Sequence, residues 1–347
     1  MSTTSMSNPS QGRSQGVWAL AWKRMKTDRV GMFCLGLVAA FSLLVLLAAL
    51  DVVGKNWQQE VGVPNAPPHF VGPKPPEALG VIEVPKGPPV DISDIDPLAP
   101  KYKEWEEAAK KYATEEAPRH ETLPFGGDRL GRDIVQKVIK GAEVSIVVGL
   151  FAALVATTIG TLLGAISGFF GGKIGDALEW VYNVFTAIPS ILLIFAFAVI
   201  FGRGILSVVM ILGLTGWTGV YRLVRAEFMK HRQREYVRSA EAIGASTGSR
   251  IFKHILPNVS HVSLVQLSLL VVSFIKSEVI LSYLGLGVSV DQVSWGTMLA
   301  EAQSELILGY WWQLAAVTVT MAVFVTAFAL FTDALRDALD PKLRGLE

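Results

Sequence analysis

Cysteine is almost missing: Cys34 is the one thiol among 347 residues, so no intrachain disulfide can form and the compartment cannot be read from thiols. Charge is scarce too. Asp, Glu, Lys and Arg make up 18% of the chain against 51% hydrophobic residues, too apolar a balance for an ordinary soluble domain of this length. The net charge of +1 gives no basic surplus for a polyanion, which argues against nucleic acid as a partner. No GxxxxGK[ST] phosphate loop occurs, since GGKIG at Gly171 to Gly175 lacks both the spacing and the hydroxyl residue. No HExxH pair occurs either. His69, His120, His231, His254 and His261 are scattered, read best as surface or loop residues, and no metal site is expected. No internal repeat is visible, which weakens any carrier built from inverted repeats.

What is abundant is long apolar runs. A helix crossing about 30 Å of hydrocarbon needs about 20 mostly apolar residues. Six segments qualify: Gly31 to Leu50, Val144 to Phe170, Leu178 to Phe201, Ile205 to Val224, Val259 to Tyr283, and Trp311 to Phe331. The polar block before Gly31 is too long for a signal-peptide n-region and no clear cleavage site follows, so the first run is expected to stay as an uncleaved span. Lys and Arg in short loops stay cytoplasmic. That places residues 1–30, with Arg13, Lys23, Arg24, Lys26 and Arg29, inside, together with the stretch 222–258 and the tail 336–347 with Arg336, Lys342 and Arg344. The connection Leu284 to Tyr310 has no Lys or Arg, as an outside loop should. Both termini are then cytoplasmic, in the cytoplasmic membrane of a bacterium.

Residues 51–141, between the first two spans, are expected outside as a long insert. Its first half carries Pro64, Pro67, Pro68, Pro73, Pro75, Pro76, Pro85, Pro88, Pro89, Pro97 and Pro100, which remove backbone donors and predict an extended, polyproline-like tether. Tyr102, Trp105, Ala109 and Tyr112 then recur at helical spacing within Lys101 to Glu116, predicting one amphipathic helix. It could lie on lipid, meet a partner, or pack on this chain's own outer face. The five remaining spans, 142–335, form the core.

The inside stretch reads RLVRAEFMKHRQREYVRSAEAIGASTGSRIFKHILPN from Arg222 to Asn258. Glu235 to Ile243 has helix-forming composition, Gly244 interrupts it, a second helical segment follows to His254, and Pro257 is expected to end the unit. An angled helix-turn-helix projecting into the cytoplasm is predicted.

At these residues the sequence resembles the permease subunits of ATP-binding-cassette importers. Their cytoplasmic loop is written EAA, three residues, Gly, nine residues, Ile, any residue, Leu, Pro. Ala240, Gly244, Leu256 and Pro257 match, while Arg238, Ser239 and His254 depart from the pattern. The resemblance implies that Glu235, Tyr236, Arg238, Ser239, Ala240, Ala242, Gly244, Ala245, Ser246, Leu256 and Pro257 form a coupling helix and its turn, seated in a cleft of an ATPase subunit. The runs LPFGGDRLGRDIVQKVIKG from Leu123, GASTGSRIFKHILPN, LSYLGLGV from Leu281, SWGTML from Ser294 and LRDALDP from Leu335 are similar to the second, C-type permease of dipeptide, oligopeptide and nickel importers.

That resemblance implies an all-α integral membrane protein of the type I importer permease fold, carrying peptides, with nickel or another small solute as the alternative. It also implies a homologous second permease, two cytoplasmic ATPase subunits holding ATP and Mg2+, an extracytoplasmic solute-binding protein and surrounding lipid. This chain would bind no cofactor and catalyse no covalent step. An ATP-independent channel or carrier is the rival from another class, but no paired ionisable groups occur in mid-span.

Ionisable groups in spans are costly and raise a functional question. Lys276 and Glu278, two apart on one helix, point in different directions and cannot easily pair. Lys276 is expected to snorkel; Glu278, together with Ser282, is a candidate for the translocation path or a subunit contact. Pro189 should kink the third span. Gly160, Gly164 and Gly168 recur every four residues and permit close helix packing.

Overall fold

A computed structural model describes residues 17–73, 98, 101–112 and 118–339. All regular elements among them are helical; strand-like pairing is confined to isolated bridges. In chain order these are α1 (Val17–Thr27), α2 (Arg29–Ala49), α3 (Tyr102–Tyr112), α4 (Ile134–Phe170), α5 (Gly172–Ala187), α6 (Ser190–Phe201), α7 (Ile205–Thr215), α8 (Thr218–Arg232), α9 (Glu235–Ala242), α10 (Thr247–Ser249), α11 (Leu256–Tyr283), α12 (Trp295–Ile307) and α13 (Trp312–Leu339). Residues Arg250–Ile255 form a π-helical stretch joining α10 to α11. Two compact units result, one of Asn56–Val135 and one of the remaining chain.

Four helices are long and apolar enough to cross a membrane, at Arg29–Ala49, Ile134–Phe170, Thr247–Tyr283 and Trp312–Leu339. Two more spans are broken. The third expected span consists of α5 and α6, bent by 93°, and the fourth of α7 and α8, bent by 42°. At the first break Pro189 does more than kink a helix: it drives Ile188 to an extended backbone, φ −93 and ψ 130, because proline crowds the residue before it out of the helical region. Six spans are present when each bent pair counts as one.

Several boundaries differ from the hydropathy reading. Helix α4 begins ten residues before Val144, because Lys137 is buried by an ion pair rather than left in water. The connection Leu284 to Tyr310, expected outside, contains α12, started by a reciprocal cap between Ser294 and Thr297. Thr27 ends α1, and Asp28 caps α2 by accepting from the Val30 N–H at 3.0 Å. Helix α13 runs on to Leu339, where Ala338 and Leu339 pack with Met25 of α1. Residues 340–347, with Lys342 and Arg344, and Arg13 in the N-terminal block lie outside the described residues.

The glycines of α4 are the seam of the larger unit. A methyl group on Gly160, Gly164 or Gly168 would meet, respectively, the Trp217, Tyr221 and Arg225 carbonyl oxygens of α8 and its N-terminal cap at 2.7, 2.8 and 2.6 Å. Only bare backbone lets the two helices approach this closely. The contact is held by polar groups as well: the Tyr221 hydroxyl donates to Ser167 Oγ at 3.0 Å and to Glu179 Oε2 at 3.2 Å, and Arg225 pairs with Glu179 at 2.8 Å. On another side α2 packs along α13, with Phe41 and Phe324 rings 5.1 Å apart.

Over residues 56–73 the smaller unit corrects the expectation of a tether. Pro67 and Pro68 are buried, and the Pro67 carbonyl accepts from the Leu123 N–H at 3.1 Å. Isolated bridges join Glu60 to Arg132, Gly62 to His120 and Pro68 to Leu123. Proline lacks a donor but keeps its acceptor, so a proline-rich segment can pair through its carbonyls. Asp128 organises the returning chain: fully buried, it accepts from the Leu130 and Arg132 N–H groups and from Arg132 Nε at 2.6 Å. The amphipathic helix is present as α3, with Tyr102 and Trp105 exposed and their rings 5.9 Å apart. Pro75, Pro76, Pro85, Pro88, Pro89, Pro97 and Pro100 lie outside the described residues.

Candidate functional site

The stretch 222–258 holds the last turns of α8, the short helix α9, α10, the π-helical stretch and the start of α11. Helix α9 buries only Val237 and Ala240, three residues apart and therefore on one face. Val237 enters a cluster with Phe169 of α4, Val224 and Phe228 of α8, and Ile251, Ile255 and Val259. The rest of α9 is exposed: Glu235, Tyr236, Arg238, Ser239 and Ala242 meet solvent, and Ile243 at its end is 86% exposed. Covering that isoleucine would bury apolar area favourably.

The end of α9 is sharply defined. Gly244 has φ +87, a conformation that side chains with a Cβ resist. Its N–H bonds the Glu241 carbonyl at 2.9 Å while the Ala245 N–H bonds the Ala240 carbonyl at 2.9 Å, the paired bonds of a Schellman turn. Nothing lies within 4 Å of a Cβ built on Gly244, so the requirement for glycine here is conformational and not a matter of space. Ser246 then caps the next helix, its hydroxyl accepting from the Ser249 N–H at 3.3 Å. Ala245 is half-buried at the turn. Arg250 reaches back to pair with Glu241.

Pro257 does not end the unit, as the sequence suggested; it lies in the first turn of α11. A proline there lacks the N–H that would bond the carbonyl four residues back, and its ring crowds that carbonyl. The chain adapts by passing through the π-helical stretch, where the Leu256 N–H bonds the Ile251 carbonyl five residues back. The Asn258 side chain donates to the His254 carbonyl at 2.7 Å. Leu256 packs against the apolar cluster, while Pro257 is exposed. Thr247 to Tyr283 therefore runs as one long helical path.

Tyr236 joins α9 to α8, its hydroxyl 2.8 Å from His231 Nδ1. Partial burial pushes the phenol above its ordinary pKa, so it stays protonated near neutrality.

The other expected site residues are far from this loop. Glu278 and Ser282 lie 21 or more residues beyond Pro257, roughly 30 Å along α11. Both are buried: Ser282 Oγ donates to Glu278 Oε1 at 2.7 Å and accepts from the Val288 N–H at 3.3 Å. Ser294, the cap of α12, is fully buried as well, and Ser145 of α4 accepts from the Trp295 N–H at 3.2 Å. In this structure Glu278 and Ser282 are shut inside the chain, while Lys276 is exposed. The residues that sequence reasoning passes over are the anchors, Val237, Phe169, Glu241 and Arg250. Only the spacing of Val237 and Ala240 could show which face of α9 turns inward.

Residues 160–345 match the family model described as binding-protein-dependent transport system inner membrane component. The oligopeptide transport system permease protein OppC of Bacillus subtilis is 35% identical over 247 residues, 71% of this chain and 81% of that protein. The dipeptide transport system permease protein DppC of Bacillus subtilis is 36% identical over 220 residues, 63% of this chain and 69% of that one. Similarity to the dipeptide transport system permease protein DppC of Lactococcus lactis, at 28% identity over 324 residues, extends to 93% of this chain and 90% of its counterpart.

Proposed function

Since this chain belongs to the family of inner membrane components of binding-protein-dependent transport systems, we propose that it is the C-type permease subunit of an ATP-driven importer of peptides. The peptide reading rests on relatives named for oligopeptide and dipeptide transport. Family membership implies an ATPase and a substrate-binding protein as partners. The finer assembly has a homologous second permease, two cytoplasmic ATPase subunits that hold ATP and Mg2+, and an extracytoplasmic solute-binding protein. In it, 222–258 and both termini face the cytoplasm of a bacterial cell.

The observation that carries the coupling role is the contrast across α9: an exposed side ending in Ile243 and a buried side, Val237 and Ala240, of which Val237 packs into the cluster with α4, α8 and α11. A partner seated on the exposed side would bury Ile243. Movement of that partner would pass through the apolar cluster and the Arg250–Glu241 pair into Thr247–Tyr283. A helix is stiff along its axis, so a shift at its cytoplasmic end reaches Glu278 and Ser282 at the other. Exposure of those two residues to a translocation path requires the segments packed on them, α12 and the Gly287–Val288 turn among them, to part from α11.

This chain's residues perform no bond-breaking step; the whole complex would be the ATP-hydrolysing translocase. ATP binding would favour one of two packings of the spans and hydrolysis the other. The test is uptake of a labelled dipeptide or oligopeptide by vesicles carrying the full complex, with and without internal ATP. Uptake that needs ATP and the binding protein supports the reading; ATP-independent flux through this chain alone would overturn it.

A further inference from the structure

We propose that the cavity between the end of α4, the start of α5, α8 and α9 is a binding site for a phosphate-bearing anion. It has a volume of about 700 Å³, within the range of small-ligand sites. Arg225, Arg232, Arg238 and Arg250 line it, with Glu241 as the single carboxylate. Arg250 pairs with Glu241 and Arg225 with Glu179, whereas among the described residues no carboxylate pairs with Arg232 or Arg238. Phe169 draws two of the cations together, its ring centroid lying 5.4 Å from the Arg250 guanidinium and 5.8 Å from that of Arg232. Four guanidiniums crowded around two carboxylates leave a local positive excess that a bound anion relieves.

A further feature points to a ligand. Gly171 and Gly172 also line the cavity, with φ +61 and +49, and no side chain caps the start of α5. The first N–H groups of α5 and the positive end of its dipole are therefore open to an anion. Planar guanidiniums match phosphate oxygens in pairs, and the apolar floor of Phe169 and Val237 weakens competition from water. The chain leaves a membrane-spanning helix at Phe170, a depth at which lipid headgroups lie. The anion is then either the headgroup of an anionic phospholipid or a soluble phosphate compound. The site shares Arg238 with the exposed face of α9 that the transport reading assigns to a partner, but the other lining cations lie off that face.

The experiment uses the full chain in detergent. One arm adds phosphatidylglycerol or phosphatidylcholine and counts bound lipid by native mass spectrometry; the other adds sodium pyrophosphate without lipid and follows thermal unfolding. Arg232→Gln with Arg238→Gln removes the two cations that lack a carboxylate, and Arg222→Gln, exposed and outside the cavity, is the control. Retention of phosphatidylglycerol over phosphatidylcholine, roughly thirty-fold weaker in the double variant and unchanged in the control, assigns a lipid headgroup, each lost cation contributing about a factor of five. Stabilisation by pyrophosphate in the wild type alone assigns a soluble phosphate. If the double variant does not fold, Arg238→Glu, on an exposed residue, replaces it with the same expectation. Equal binding of both probes by wild type and variants would overturn the proposal.

Discussion

Lys137 Nζ lies 2.6 Å from Glu301 Oε2, yet the two side chains are buried unequally, 1% exposed for the lysine and 27% for the glutamate. The pair joins the first turns of α4 to α12, with Gln313 of α13 also in reach of Lys137 at 3.4 Å. Removing one partner of a buried pair hurts in proportion to how deeply the orphan is held. Glu301→Leu removes the carboxylate that neutralises a buried ammonium and should cost about 3 kcal/mol, whereas Lys137→Met leaves a carboxylate that water reaches and should cost about 1 kcal/mol or less. Denaturant titration of both variants and of the double variant checks this. Equal losses would show that the ion pair is not what holds α12.

The seam between α4 and α8 predicts a steep difference between glycines on neighbouring spans. Gly168→Ala puts a methyl 2.6 Å from the Arg225 carbonyl and should destabilise by about 1 to 3 kcal/mol. Gly36→Ala in α2 meets nothing within 4 Å and should be neutral or slightly stabilising, because alanine favours helix more than glycine does. Thermal unfolding in one detergent decides it. A harmless Gly168→Ala would mean that the two helices do not pack through this stripe.

The insert should tolerate deletion only within limits that the fold sets. Removing 74–117 with a Gly-Ser bridge leaves Pro67, Pro68, Leu123 and Asp128 in place and should preserve the small unit. Removing 64–118 takes away the segment that Leu123 binds and should make 119–133 readily cleaved by protease. Equal protease resistance of the two deletions would show that the bridges around Asp128 do not hold the unit.

Orientation is tested by cysteine labelling after Cys34, itself buried, is replaced by alanine. Arg234→Cys should react only when the cytoplasmic side is opened, and Lys110→Cys from outside in intact cells, because Lys and Arg of short loops stay inside. Labelling of position 110 only from the cytoplasm would end the six-span reading.

Much of this fold is legible in the sequence. The four continuous spans stand out because water-soluble folds rarely tolerate an apolar run long enough to cross the hydrocarbon core. The loop stands out because Gly244, at φ +87, sits where helix-forming composition stops. The features that stay hidden depend on contacts distant in sequence. The first turns of α4 look too polar to extend a span until Glu301 neutralises Lys137. The prolines at 67 and 68 look like a tether until Leu123 supplies the donor. Helix α12 reads as a loop because hydropathy cannot register the cap made by Ser294 and Thr297. Pro257 reads as a stop because the π-helical stretch that accommodates it has no composition signature.

The central claim, that α9 and its turn couple this chain to an ATPase, is tested most directly by ATP-dependent peptide uptake in vesicles carrying Gly244→Val. A β-branched residue at φ +87 is strained by about 1 to 2 kcal/mol or more, which should tilt α9 without disturbing lipid-embedded helices. Uptake should fall to background while the amount of membrane-inserted chain stays at the wild-type level; undiminished uptake by the valine variant would contradict the account.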